Sequence, residues 1–254
     1  MRTAFLFACL YALAAIANGE PLTLRTSGQE ANPVKFDPAN KRLPGFSVEL
    51  MQAMRRADPE LGFQGQDQLR PLRRIEADLE NGKLDVFIGL VKSPARLSRF
   101  AVIQEPPLYI QYTQLAVRKE DPIEVLGFDD VRRLGDKGVI AVPQGSAYAE
   151  FLRARGGLRI DDGAISISAS LKKLLLGRVR FIYYSGVVLE KYLREEGLND
   201  RVRLLPTLLS AEEVCVMVSK NAQAGTLERV RIALKRLQRD GTLAKLRLKY
   251  GVSG

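Results

Sequence analysis

Two kinds of apolar spacing alternate along this chain. Phe46–Arg56 (FSVELMQAMRR) carries apolar residues at 46, 50, 51 and 54, close to the period of a helix. Leu69–Asn81 predicts a second amphipathic helix, with Leu72, Ile75 and Leu79 on one face and Gly82 as its stop. Asp85–Val91 (DVFIGLV) is almost wholly apolar, which predicts a strand covered on both faces. Leu22–Ser27 reads as a strand, and Tyr109–Lys119 as a long extended run. The pattern then restarts. Gly138–Val142 predicts a strand, Ser146–Arg155 a helix capped by Ser146, and Ser168–Leu176 a helix ended by Gly177. Arg180–Tyr184 (strand), Val187–Glu196 (helix) and Val214–Ser219 (strand) follow. Thr226–Tyr250 carries one or two amphipathic helices broken near Asp240-Gly241. Such alternation favours an α/β architecture. Two βα blocks joined by extended segments predict two lobes, with crossings near 115–118 and 208–212 and C-terminal helices that return to the first lobe.

The first residues depart from this pattern. Arg2 is followed by the apolar run Phe5–Ile16 and by the small-residue pattern Ala15-Ile16-Ala17. That is the layout of a secretory signal, and it is too short for a stable bilayer span of about 20 residues. A lipoprotein reading through Cys9 ranks lower, because little apolar sequence precedes it. Cleavage after Ala17 would leave Cys215 as the single cysteine, with no intramolecular disulfide and no cysteine cluster for a metal. Histidine is absent, which excludes His-dependent triads, metal sites and acid–base pairs.

The formal charge of +10 falls to about +9 once Arg2 is removed. Lys and Arg are interspersed with acids, as in Arg70–Glu80, without a basic block or an aromatic–basic stripe. This favours a solvated surface over a nucleic-acid partner, although the charge could bias a cleft toward anions.

Short motifs in a fixed order then identify a family. Gly45-Phe46-Ser47-Val48-Glu49-Leu50, Leu79–Asp85 (LENGKLD), Ser93-Pro94-Ala95-Arg96, Pro107-Leu108-Tyr109, Val142–Ser146 (VPQGS), Leu174–Val179 (LLLGRV) and Leu237–Thr242 (LQRDGT) run through the mature length. Each is weak alone; their order and spacing make the match. Together they resemble the amino-acid-type extracellular solute-binding proteins of ABC transporters. The resemblance implies an α/β, two-lobed periplasmic-binding-protein fold of the second structural class, with two βα lobes joined by two extended hinge segments. It implies a signal peptide at 1–17, a discontinuous first lobe at 18–116 plus 209–254, and a second lobe at 117–208. It further implies a periplasmic monomer without cofactor or metal, and without an integral membrane segment after cleavage. Such a protein captures a small-molecule ligand by hinge closure and passes it to an inner-membrane ABC permease.

In that family an arginine and a helix start hold a ligand carboxylate, a planar fork and unpaired backbone donors both suiting an anion. The resemblance assigns Arg96 to the first role and Ser146, with the Gln144-Gly145 turn, to the second. Gly89 and Val91 lie in the strand end that borders the site, and Ser185 stands where the family commonly has an aspartate for the ligand's ammonium. A hydroxyl does not replace that charge. The 85–96 segment is also one residue short, with Gly89-Leu90-Val91-Lys92 where polar side chains are frequent. Glu30 is a candidate displaced negative charge, and Lys92 would favour an anion if it faces inward. Tyr109, Tyr112, Tyr183 and Tyr184 are candidate aromatic walls, and at most one of the neighbours 183 and 184 should line the cleft. Two alternatives stay open on the same scaffold: a lyase resembling cyclohexadienyl dehydratase, whose acid would be Glu, Asp, Lys or Tyr, and a ligand-sensing partner of a membrane receptor.

Overall fold

The computed structural model describes residues 21–144 and 146–254. The signal-like stretch at 1–17 lies outside them, as does Gly145 of the expected Gln144-Gly145 turn. Among the described residues the strands are β1 (Leu22–Arg25), β2 (Gly28–Gln29), β3 (Leu61–Gln64), β4 (Leu69–Arg70), β5 (Val86–Val91), β6 (Ala101–Ile103), β7 (Tyr109–Arg118), β8 (Ile140–Pro143), β9 (Ile160–Ala164), β10 (Phe181–Ser185), β11 (Val202–Leu204) and β12 (Ser210–Val218). The α-helices are α1 (Phe46–Ala57), α2 (Leu72–Glu80), α3 (Pro94–Arg99), α4 (Phe128–Arg133), α5 (Ala147–Arg153), α6 (Ile167–Leu175), α7 (Gly186–Glu195), α8 (Thr226–Arg239) and α9 (Thr242–Tyr250).

Both lobes hang on β7 and β12, which run antiparallel from Tyr109↔Val214 to Thr113↔Ser210. Beyond that pairing they diverge. The C-terminal half of β12 pairs with β5 and β6, in the first lobe. The C-terminal half of β7 pairs with β10 and β11, in the second. The resulting order is β5-β12-β7-β10-β8-β9. Alternate side chains on these two strands therefore face the space between the lobes from its floor.

Hydrophobic burial divides in the same way. In the first lobe Leu50, Met54, Phe87, Val216 and Leu234 form one cluster. In the second, Ala141, Ile182, Leu171 and Leu189 pack on one face of the sheet and Val142, Phe181, Tyr183 and Leu152 on the other. Each such Leu, Ile, Val, Phe or Met side chain contributes about 1.5–3 kcal/mol relative to exposure. The C-terminal helices return to the first lobe. Arg229 of α8 donates to Asp58 at 2.8 Å, and the Tyr250 hydroxyl donates to Glu49 at 2.7 Å while accepting from the Gly45 N–H at 3.1 Å.

One expected element divides. Leu69–Asn81 is not a single helix: Leu69–Arg70 pairs in parallel with Gly28–Gln29, and α2 begins only at Leu72. Pro71 accounts for this, because the residue before a proline is pushed to extended backbone.

Candidate ligand-binding site

A cavity of about 460 Å³ lies between the lobes. The first lobe lines it with Gln29, Asn32, Lys35, Leu72 and the Leu90–Arg96 segment. The second contributes Ser146–Tyr148, Glu150, Phe151, Ala154, Arg155 and Tyr184, and the floor strands β7 and β12 contribute Gln111 and Glu212.

Arg96 is held by its own lobe. Ser93 caps α3, accepting from the Arg96 N–H at 3.3 Å. The guanidinium donates to Glu76 Oε1 through Nε at 3.2 Å and Nη2 at 2.7 Å, and through Nη1 to the Val91 carbonyl at 2.7 Å. Glu76 also receives Arg99 at 2.7 Å on its other oxygen. The charge of Arg96 is thus largely compensated within α2 and α3.

Lys35 is placed differently. Its loop is stitched to the start of α1, the Phe46 N–H donating to the Val34 carbonyl at 2.8 Å and the Ser47 N–H to that of Lys35 at 3.2 Å. That approach leaves Gly45, at φ 116°, no room for a Cβ: one would lie 2.1 Å from the Lys35 carbonyl oxygen. The Lys35 side chain then runs inward to donate to the Gly89 carbonyl at 2.6 Å. This carbonyl is free because β5 bulges at Gly89, where the pairing with β12 steps from Leu90↔Cys215 to Ile88↔Val216. Lys35 is 5% exposed and has no carboxylate partner among the described residues. Burial, aided by the Arg96 charge, pulls its pKa down to about 7.

Glu212 is the acidic counterpart on the floor. One oxygen is bonded by the Ser210 hydroxyl; Oε2 is buried without a partner among the described residues. Burial raises its pKa, partly offset by Ser210, the Arg155 charge and the nearby Gln111 amide. Arg155 itself stacks on Phe151, 3.5 Å from the ring centroid. The second-lobe wall is aromatic: Tyr148 meets Tyr184 edge-on at 5.0 Å, and its hydroxyl accepts from Gln111 at 2.7 Å. Burial pushes both phenols further above the ordinary tyrosine value, and both are protonated at neutral pH.

Of the residues expected from sequence, Arg96, Val91, Ser146 and Tyr184 line this cavity. Ser146 precedes α5 without a capping side-chain bond, and its Oγ is buried and unpartnered among the described residues. Gly89, Gln144, Ser185 and Tyr109 do not line it. The Gly89 carbonyl is covered by Lys35, and Gln144 is exposed at the end of β8. Ser185 follows Tyr184 and so points to the other side of β10, into a smaller hollow that also contains Tyr109 and Tyr112. Tyr109 packs edge-on against Phe46, at 5.1 Å. Tyr183 turns into the second-lobe core and accepts from the Thr113 hydroxyl at 2.6 Å. Glu30 is exposed and outside the cavity; Lys92 lines it with its ammonium paired to Glu213. Sequence reasoning missed Lys35 and Glu212. The one signal for Lys35 was its position between Val34 and Phe36, both apolar.

Among the described residues no helix is long and apolar enough to cross a membrane, and no group of three or more His, Cys, Asp or Glu could hold a metal ion. The probable amino-acid-binding protein YxeM of Bacillus subtilis (strain 168) is 29% identical over 219 residues, covering 83% of this chain and 77% of YxeM. ArgBP from T. maritima, solved as a mutant, superposes with a TM-score of 0.73 at 20% identity, over 90% of this chain and 94% of that one. A histidine kinase sensor domain with similarity to periplasmic binding proteins superposes at 0.76 and 22% identity, over 91% and 97%. Residues 25–253 match the family model throughout, and the chain belongs to the bacterial extracellular solute-binding proteins, family 3.

Proposed function

We propose that this chain is exported, encloses one small amino-acid-type solute between its lobes, and delivers it to a separate ABC permease. The observation that carries this reading is a convergence of unpaired polar atoms. Gln29 Oε1, Ser146 Oγ and Glu212 Oε2 are all buried without a partner among the described residues, and all three residues line the cavity between the lobes. Buried polar groups are ordinarily paired, and a polar ligand would satisfy these from the first lobe, the second lobe and the floor together. YxeM's description as a probable amino-acid-binding protein supports the ligand class. In this reading the signal ends at Ala17, the first lobe comprises 18–116 and 209–254, the second comprises 117–208, and the mature periplasmic protein is a monomer. A lyase on this scaffold is not favoured, because the family is one of binding proteins.

The test is mass-spectrometric identification of a co-purifying solute, followed by thermal shift with amino acids, carboxylates, opines and polyamines. A specific ligand at 100 times its Kd should add about 2.7 kcal/mol of stability. Absence of stabilisation across the whole panel would remove the binding reading.

A further inference from the structure

The cavity holds two charged groups that make no ion pair among the described residues, one of each sign: Lys35, which is buried, and Glu212, which is half-buried with its Oε2 enclosed. Other lining charges are accounted for. Lys92 is paired with Glu213 and Arg96 with Glu76; Arg155 is exposed and stacks on Phe151, acting on Glu212 through its field without forming an ion pair, and Glu150 is exposed. Lys35 is different, because its ammonium has only the neutral Gly89 carbonyl. A buried ammonium without a counter-charge is costly, and a ligand anion would relieve that cost. Glu212 mirrors it, with one oxygen on the Ser210 hydroxyl and the other unpartnered among the described residues. The two are not ion-paired with each other, so they form separate poles of one 460 Å³ cavity.

Resting on the binding-protein reading above, we propose that the solute is a zwitterion whose anionic group is received by Lys35 and whose amino group is received by Glu212. The negative pole of recognition then lies on the floor strand β12, which both lobes share. It does not lie on the second lobe at Ser185, which faces away from the cavity. An amine bound there touches the element about which the lobes move, so the same contact that selects the ligand also fixes the hinge strand.

The experiment uses isothermal calorimetry on the full mature chain with the twenty L-amino acids and with their N-acetyl and carboxamide derivatives. At least one amino acid should bind, and acetylation or amidation of it should each weaken binding at least about 30-fold, the usual scale for losing one member of a buried charge pair. Glu212→Gln should weaken the free amino acid to a similar degree while leaving its N-acetyl derivative nearly unchanged. Lys35→Met should do the same with respect to the carboxamide. Thermal melts of both variants check that they are folded, and Glu212→Asp gives a second reading with the charge kept. If an amino acid binds but Glu212→Gln weakens it and its N-acetyl derivative equally, or neither, the assignment of poles is overturned while the binding reading stands. If nothing binds, both fall together.

Discussion

Arg96 reaches Glu76 Oε1 through two nitrogens, Nε at 3.2 Å and Nη2 at 2.7 Å, and its third donor is taken by the Val91 carbonyl. A guanidinium so engaged is part of the frame that joins α2, α3 and the end of β5. Arg96→Ala should therefore act first on stability. It would strand Glu76 with Arg99 alone and leave the Val91 carbonyl unpaired, a loss of about 2–4 kcal/mol. Urea denaturation measures this. Unchanged stability together with abolished binding would instead make Arg96 the ligand's own anchor.

Lys35 makes stability depend on pH in a stated direction. Its pKa falls from 10.5 in the unfolded chain to about 7 when folded, chiefly by burial and secondly by Arg96. The groups facing it are the Gly89 carbonyl from β5 and the Arg96 charge from α3. Between those two values the unfolded chain holds a proton that the folded chain does not, so stability rises with pH across that window. Below pH 7 both states hold it and the full penalty is felt. Lys35→Met should be the more stable protein near pH 6.5, by a few kcal/mol, and the gap should close toward pH 10. The chain has no histidine; the Cys215 thiol, which burial pushes up from 9.0 to about 11, lowers stability with rising pH above 9 but equally in both proteins, so it cancels from the gap. Melting curves of both proteins at half-unit pH steps would show it. A pH-independent gap would contradict a titrating Lys35.

Much of the fold was legible because its elements carry a period. Phe46–Arg56 and Thr226–Tyr250 place apolar residues at helical spacing; α1 and α8 bury a stripe of them, and α9 buries Leu243 and Leu246 while leaving Leu248 exposed. Strands of two to four residues, such as β2, β4 and β11, are too short to show one; their partners in the sheet create them. The site was legible only where motif and geometry coincide, as for Arg96 and Ser146. Lys35 and Glu212 were hidden because a lysine in a Pro- and Asn-rich loop and a Glu-Glu pair at a strand start look like solvated charges. Their burial depends on a bulge at Gly89 and on the crossing of β7 and β12, which no local pattern encodes.

Gly89 should be intolerant of substitution. Its φ of 115° disfavours any L side chain, and a Cβ would lie 3.1 Å from Ser47 Oγ and 3.2 Å from Lys35 Cδ. Gly89→Ala should cost about 1–3 kcal/mol in backbone strain and displace the Lys35 stem as well. Calorimetry should find weaker binding than the stability loss alone would give, because the ammonium is moved. An affinity unchanged in a folded variant would detach Lys35 from recognition.

Lys191 of α7 reaches across to Asp37 of the first lobe at 3.1 Å, while also pairing with Glu195 of its own helix at 3.1 Å. The first of these bonds spans the two lobes, and hinge opening would have to break it. Both side chains are mostly buried, yet the pair borders solvent, so its net worth is about 0.5–1 kcal/mol. Lys191→Ala should shift the unliganded protein toward more open forms and weaken ligand binding roughly 2–5-fold, since the binding-competent arrangement becomes rarer. Small-angle scattering without ligand reads the first effect as a larger radius of gyration, and calorimetry reads the second. Salt should reproduce part of the change in the wild-type protein and none in the variant, because screening acts on a charge pair that the variant lacks. A variant with unchanged scattering and unchanged affinity would mean that the pair does not hold the lobes together.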